Sequence, residues 1–220
     1  MRKLLLSNPG MYHHLRQLLT GGMPFRRWID LYGFNDPHQR IADLGCGPAD
    51  MLRYTESPRP EFYLGVDISA PYLQTAAKRA EGAQLSSEFV RMDLDRLPHD
   101  EEVQAELVET LEKHQITRIL LLGVLHHIND DSARTTLDLA HSVPTVKDLF
   151  TSDVLYVEGN RLNNKLCDWD RGEFVRDEAG YDALAASSAW PGSEKVFTSP
   201  RFSFIKYIHY RLTKEPNGRG

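Results

Sequence analysis

Cysteine is scarce in this chain: two residues in 220, Cys46 and Cys167, far apart along the sequence. That is too few for a disulfide framework or a zinc-ligand set, and it suits a reducing compartment. A surplus of positive charge is missing too. Lys and Arg number 26 against 31 Asp and Glu, a formal net charge of −5, with a pI near 6.0. No basic field is present to draw in a polyanion, which argues against nucleic acid as substrate or partner. Long hydrophobic runs are also absent. Arg2 and Lys3 precede only Leu4-Leu5-Leu6, short of a signal-peptide core, and no later stretch approaches membrane-spanning length. The expectation is a soluble, cytoplasmic protein without a membrane span. Internal repeats and interdomain linkers are likewise not visible. With 41% hydrophobic and 26% charged residues over this length, the chain can bury one substantial core, so a single domain over residues 1–220 is expected.

Against these absences stands one concentrated signal. The apolar run ending Ile41-Ala42-Asp43-Leu44 leads directly into Gly45-Cys46-Gly47-Pro48-Ala49-Asp50. Lacking a Cβ, Gly45 and Gly47 can adopt backbone angles closed to other residues and let a ligand lie against the main chain. In a parallel α/β sheet such a turn falls at the carboxyl end of the first strand, where the nucleotide crevice lies. A second apolar run, Phe62-Tyr63-Leu64-Gly65-Val66, ends in Asp67. An acid about twenty residues past a glycine turn is placed to accept hydrogen bonds from ribose hydroxyls. The dinucleotide fingerprint requires a third glycine at position 50, which is Asp50 here. With a carboxylate in that place, the turn suits a cofactor carrying positive charge rather than phosphates, and the sulfonium S-adenosylmethionine fits.

Asp43-Leu44-Gly45-Cys46-Gly47-Pro48 resembles the first motif of class I S-adenosylmethionine-dependent methyltransferases. Later segments agree in order: Gly65-Val66-Asp67-Ile68-Ser69 resembles the ribose-binding second motif, and Phe89-Val90-Arg91-Met92-Asp93-Leu94 the third, whose acid lies near the adenine. Leu121-Leu122-Gly123-Val124-Leu125-His126-His127-Ile128 resembles the fourth-strand segment ending in a His pair beside the active site. The resemblance implies an α/β, Rossmann-like three-layer sandwich with a mostly parallel seven-stranded sheet, its last strand antiparallel, and an N-terminal helical cap. It also implies S-adenosyl-L-methionine as cofactor, contacted by Asp43, Gly45, Cys46, Gly47, Asp67, Ile68, Asp93, Leu94 and Gly123. Cys46 is most simply a small residue filling space, and Gly123 allows close approach under the methionine part.

Periodicity outlines the remaining elements. Met11, Leu15, Leu18 and Leu19, then Phe25, Trp28, Ile29 and Tyr32, mark two helices within residues 1–38. They either cover the cofactor, with Tyr12, His13 or Arg16 reaching it, or pack on the sheet edge. A core over 39–214 follows. Its expected elements are a helix over 71–82, a strand Ser86–Asp93, a helix over about 99–114 with Val103, Leu107 and Leu111 on one face, and a buried central strand Ile119–Leu125. Then come a helix capped by Asn129-Asp130-Asp131 running to about Val143, a fifth strand Val154–Glu158, and an aperiodic substrate-side loop over 160–176. A helix near Asp177–Ala189 and strands around Val196 and Phe204–Leu212 close the core, and 215–220 has tail composition.

In-line methyl transfer needs mainly placement of the acceptor's nucleophile. An alcohol or phenol also gains from a base, for which His is suited. His126 and His127 are the candidates. Adjacent residues leaving a strand diverge, so one at most is expected to face the methyl group, and His127 has the alternative of packing and backbone contact only. No third ligand accompanies the pair, so no metal is expected. The loop holding Arg171 and Arg176 resembles a segment of uncharacterised bacterial methyltransferases of this class. These arginines either pair with an acidic acceptor or hold the loop to Asp168, Asp170 or Asp177. Motifs of amino-methyltransferases on adenine or glutamine and of cytosine-C5 enzymes are missing, which leaves a small-molecule acceptor, with an oxygen nucleophile favoured and nitrogen or carbon as the alternatives. The rival reading is a non-catalytic S-adenosylmethionine-binding sensor or partner subunit.

Overall fold

Side chains with strong start signals set the helices. Ser69, Asp100, Asn129 and Asp177 each cap a helix, their side-chain oxygens accepting from backbone N–H groups of the first turn, and each satisfies a donor the helix itself leaves open. The computed structural model describes residues 25–169, 172–198 and 204–216, with the backbone alone at 25–28 and 196–198. Among these residues the helices are α1 (Phe25–Tyr32), α2 (Ala70–Gly82), α3 (Glu101–Lys113), α4 (Asp130–Ser142), α5 (Arg161–Cys167) and α6 (Glu178–Ser187). The strands are β1 (Arg40–Leu44), β2 (Phe62–Asp67), β3 (Ser87–Arg91), β4 (Arg118–Leu122), β5 (Asp148–Val154), β6 (Gly192–Thr198) and β7 (Tyr207–Thr213). The expected helix over Met11–Leu19, with Tyr12, His13 and Arg16, lies outside the described residues.

The strands form one sheet in the order β3-β2-β1-β4-β5-β7-β6. The first five are parallel neighbours, β7 runs antiparallel to β5, and β6 antiparallel to β7. Helices cover both faces. Leu107, Leu111, Leu137, Leu184 and Trp190 pack with Leu44, Leu64 and Leu121 on one side, while Ile29, Ala76 and Ala80 pack with Ile41, Tyr63 and Leu120 on the other. This is the Rossmann-like three-layer arrangement, and β1 with β4 forms the point where strand order reverses and ligands enter at the carboxyl ends. No helix among the described residues is long and apolar enough to cross a membrane.

Three expected elements differ from those observed. The central strand stops at Leu122 because Gly123 turns the chain with φ +77°, so the His pair lies in a turn past the strand. The fifth strand spans Asp148–Val154 and ends at the residue where it was expected to begin. Its acids hid it: Asp148 and Asp153 are buried, and a run bounded by carboxylates does not read as a core strand. Residues 161–167 form the helix α5, capped by Asn160. Seven residues are too few for periodicity to show.

Candidate active site

The turn after β1 is built from left-handed backbone. Gly45 has φ +78°, Gly47 +53° and Ala49 +52°. The N–H groups of Gly45 and Cys46 both donate to Val66 O, at 2.7 and 2.9 Å, binding the turn to β2. A Cβ on Gly45 would lie 2.5 Å from Val124 Cγ2, whereas one on Gly47 would meet nothing within 4 Å. Gly45 therefore permits protein packing, and Gly47 leaves open space over the turn. Cys46 is buried, and its Sγ lies 3.0 Å from where a Cβ on Gly65 would stand, in keeping with a space-filling side chain.

Two carboxylates flank this turn. Asp67 accepts from the Gly47 N–H with one oxygen and from the Ser69 N–H with the other, each at 2.8 Å. Both oxygens keep a second lone pair for a hydroxyl donor. Asp43 is 3% exposed and accepts a 2.8 Å hydrogen bond from the Tyr63 hydroxyl. Burial raises its pKa to about 7, the Tyr63 bond opposing that and the charge of Asp67 adding to it. The same burial and the same two acids push the Cys46 thiol up. Asp50, whose carboxylate suggested selection for a cationic cofactor, instead pairs with Arg79 on α2 at 2.7 Å, and Arg79 also holds the Pro48 carbonyl. Its charge is thus answered within the protein, so the negative charge at the turn comes from Asp43 and Asp67.

Around the rim, Ile68 is 54% exposed directly past Asp67. Asp93 caps the 3-10 turn Leu94–His99, accepting from the Asp95 N–H at 3.1 Å. The Leu94 side chain is buried in the core, so its contribution to the rim is backbone.

Across the crevice, His126 and His127 do not diverge. The turn brings their ring centroids to 4.1 Å, with His127 exposed and His126 3% exposed. His126 Nδ1 lies 2.8 Å from Asp153 Oδ1, and the same oxygen accepts the His126 backbone N–H at 3.2 Å. Residues 172–176 lie over this turn as a strap. Phe174 N donates to His126 O at 3.0 Å, and a Cβ on Gly172 would stand 2.5 Å from His126 Cδ2. Arg176, its side chain 9% exposed, donates to the carbonyls of Leu125, Ile128 and Phe174 and pairs with Asp130 at 2.6 Å. The guanidinium fork therefore staples the strap to both ends of the His turn, the holding role among the two expected, with Asp130 as its acid. Arg171 lies outside the described residues. Among those described, no cluster of His, Cys, Asp or Glu could hold a metal ion.

Sequence reading missed Asp153, Tyr32, Ser152 and His209. Tyr32 is buried on α1, its hydroxyl 3.4 Å from His209 Nδ1, and it bonds Ser152 and feels Asp153 and Asp43. Burial lowers His209 to about 4, so it is neutral at pH 7. The β5 register pairs Ser152 with His209. Only a correct placement of β5 would have exposed Asp153 as an acid at the carboxyl end of a parallel strand.

A glycine turn flanked by two acids, at the carboxyl ends of a parallel sheet whose penultimate position is an antiparallel strand, defines a methyl-donor-binding α/β domain. Residues 41–144 match the family described as Methyltransferase domain. This segment is a methyltransferase domain, and the fold that contains it is the Rossmann-like one of class I methyltransferases. Comparison with curated proteins finds no match. Among solved structures it is similar to magnesium protoporphyrin IX methyltransferase from Synechocystis PCC 6803 with bound S-adenosylhomocysteine, at 17% identity and a TM-score of 0.62, covering 94% of this chain and 88% of that one. It is also similar to the CMeT domain of a citrinin polyketide synthase, at 15% identity and TM-score 0.64, covering 97% of this chain and 59% of that one. The methyltransferase domain of a bacterial Hen1 matches at 13% identity and TM-score 0.59, covering 86% of this chain and 96% of that one. At these identities the likeness concerns the fold.

Proposed function

We propose that the chain transfers a methyl group to an oxygen nucleophile on a small-molecule acceptor in the cytosol. The observation that carries this reading is the pairing of the acid-flanked turn with a His pair across the same crevice. S-adenosylmethionine supplies an activated methyl group on a sulfonium, so little covalent chemistry is left to the protein. Asp67 accepts hydrogen bonds from the ribose hydroxyls with its remaining lone pairs. Gly47 leaves open space for the nucleoside, and Gly45 and Cys46, packed against Val124 and Gly65, set the main chain of the turn beneath it. Ile68, exposed beside Asp67, would pack on the adenine, and Asp93 and the Leu94 backbone would border it. Asp43 provides buried negative charge for the cationic methionine end, and Gly123 lets that end lie close to the backbone.

The His pair serves the acceptor. His126 or His127 takes the proton of an acceptor hydroxyl as that oxygen becomes nucleophilic, and the turn holds the base within the short range proton transfer requires. Arg176 acts on the acceptor side through the turn that it staples, and Arg171 belongs to the same segment. The small net negative charge supports an uncharged or cationic acceptor over a polyanion.

The reading is tested by measuring S-adenosylhomocysteine formation with purified protein against a panel of phenols, alcohols, amines and carbon acids. Turnover of a hydroxylated small molecule is expected. Tight binding of S-adenosylmethionine without turnover of any class would instead favour a sensor or partner subunit.

A further inference from the structure

Asp153 stands at the carboxyl end of β5 and reaches back to the turn after β4. A single oxygen, Oδ1, lies 2.8 Å from His126 Nδ1 and 3.2 Å from the His126 backbone nitrogen. A backbone N–H can only donate, so this oxygen acts as an acceptor, and a second donor completes its environment. A carboxylate is acceptor-only, so with Asp153 ionised the imidazole nitrogen facing it is the protonated one. We infer that Asp153 is a positioning residue that holds His126 in the Nδ1–H tautomer, leaving the Nε2 lone pair as the proton acceptor for the substrate hydroxyl. This inference rests on the methyl-transfer reading and deepens its acceptor side: it chooses His126 over His127 and names the group that orients it.

Three features make the arrangement more than an incidental contact. Both partners are buried, Asp153 at 1% and His126 at 3% exposure, where a charged hydrogen bond is little screened by water and an ionised imidazole gains from a fixed anion. The turn is held from the other side as well, because Arg176 occupies the carbonyls of Leu125 and Ile128 while Phe174 N binds that of His126. Nδ1 and the main chain on both sides of the ring are thus fixed by neighbours, which is how a preorganised group is supported. Finally, Gly172 packs at the Cδ2 edge of the ring, next to Nε2. The strap therefore borders the ring edge beside Nε2. In the step itself, the acceptor O–H bond breaks, its proton passes to Nε2, and its electron pair stays on oxygen. The resulting imidazolium is balanced by the Asp153 carboxylate.

Long-range 15N–1H correlation spectra of protein labelled on histidine, with His126 assigned through His126→Gln, read this tautomer without any acceptor. In the unaltered protein Nδ1 is expected in the protonated range and Nε2 in the non-protonated range. Asp153→Ala is expected to shift His126 toward the Nε2–H form that dominates free imidazole side chains. An Nε2–H or evenly mixed signal in the unaltered protein would overturn the inference, and this reading does not depend on Asp153→Ala folding. An unchanged Nδ1–H signal in Asp153→Ala would overturn it equally. Calorimetric titration of the unaltered protein with S-adenosylmethionine, run in parallel, reports on the methyl-donor reading separately, since failure to bind would sink that reading without touching the tautomer.

Discussion

Asp43 and Asp67 do different work although both border the same glycine turn. Asp67 is tied to main chain through two N–H donors, so its geometry is set before any ligand arrives. Asp67→Ala is expected to weaken S-adenosylmethionine binding by about 1–3 kcal/mol, the usual penalty for losing hydrogen bonds to a charged acceptor. An unchanged dissociation constant by calorimetry would remove Asp67 from the ribose site. Asp43 has a raised pKa, about 7, so below that pH the carboxyl of the unliganded protein is largely neutral. A cationic ligand beside it favours the ionised form and lowers that pKa. Binding is therefore expected to release a proton below pH 7, with affinity rising as pH increases toward 7 and levelling off above it. Titrations in buffers of different ionisation enthalpy measure the proton count, and pH-independent affinity between 5.5 and 7, in roughly the window the shift defines, would exclude the coupling. At this scale the sequence was most legible where the chemistry is local. Gly45, Gly47 and Asp67 announce themselves by type and spacing, whereas Asp153 and His209 become neighbours of the site only through strand pairing.

Elements were legible in proportion to how uniformly apolar they are. α3 shows its acid-rich start and its stripe of Val103, Leu107 and Leu111, and all three are buried. β5 does not, because beside its buried Leu149, Phe150 and Val154 it carries the buried acids Asp148 and Asp153, whose burial is made tolerable by polar partners. Asp148 lies beside Arg118 of β4, which donates to both its oxygens at 2.7 and 2.8 Å, and Arg211 of β7 adds a third contact at 3.2 Å. This pair knits three adjacent strands at the end of the sheet opposite the crevice. Removing one partner strands the other in a low-dielectric place, so Asp148→Ala is expected to lower stability by roughly 3–5 kcal/mol. Chemical denaturation measures this, and a change below about 1 kcal/mol would mean that water reaches Arg118 freely. The turn carrying the His pair follows the same logic. Its position depends on Arg176, a residue some fifty positions away in sequence, and no local pattern points to that staple.

For the whole molecule, the order of strands decides what meets at the crevice. β1 and β4 are neighbours, so the glycine turn and the His turn, distant in sequence, share one opening, and Gly45 packs directly against Val124. Ligand binding should accordingly stabilise the fold as a unit. At a hundredfold excess over its dissociation constant, S-adenosylmethionine is expected to add about 2.7 kcal/mol, raising Tm by roughly 5–10 °C for a chain of this size. A thermal scan showing no shift would contradict the cofactor site. By itself the sequence determined the cofactor chemistry and the fold class, because a glycine turn, a following acid and continuous apolar strands are local requirements written in consecutive residues. Tertiary structure alone decided the acceptor side. There the functional arrangement is a set of long-range hydrogen bonds, Asp153 to His126 and Arg176 to the turn between Leu125 and Ile128, and such bonds depend on strand order and burial, which no short window of sequence encodes.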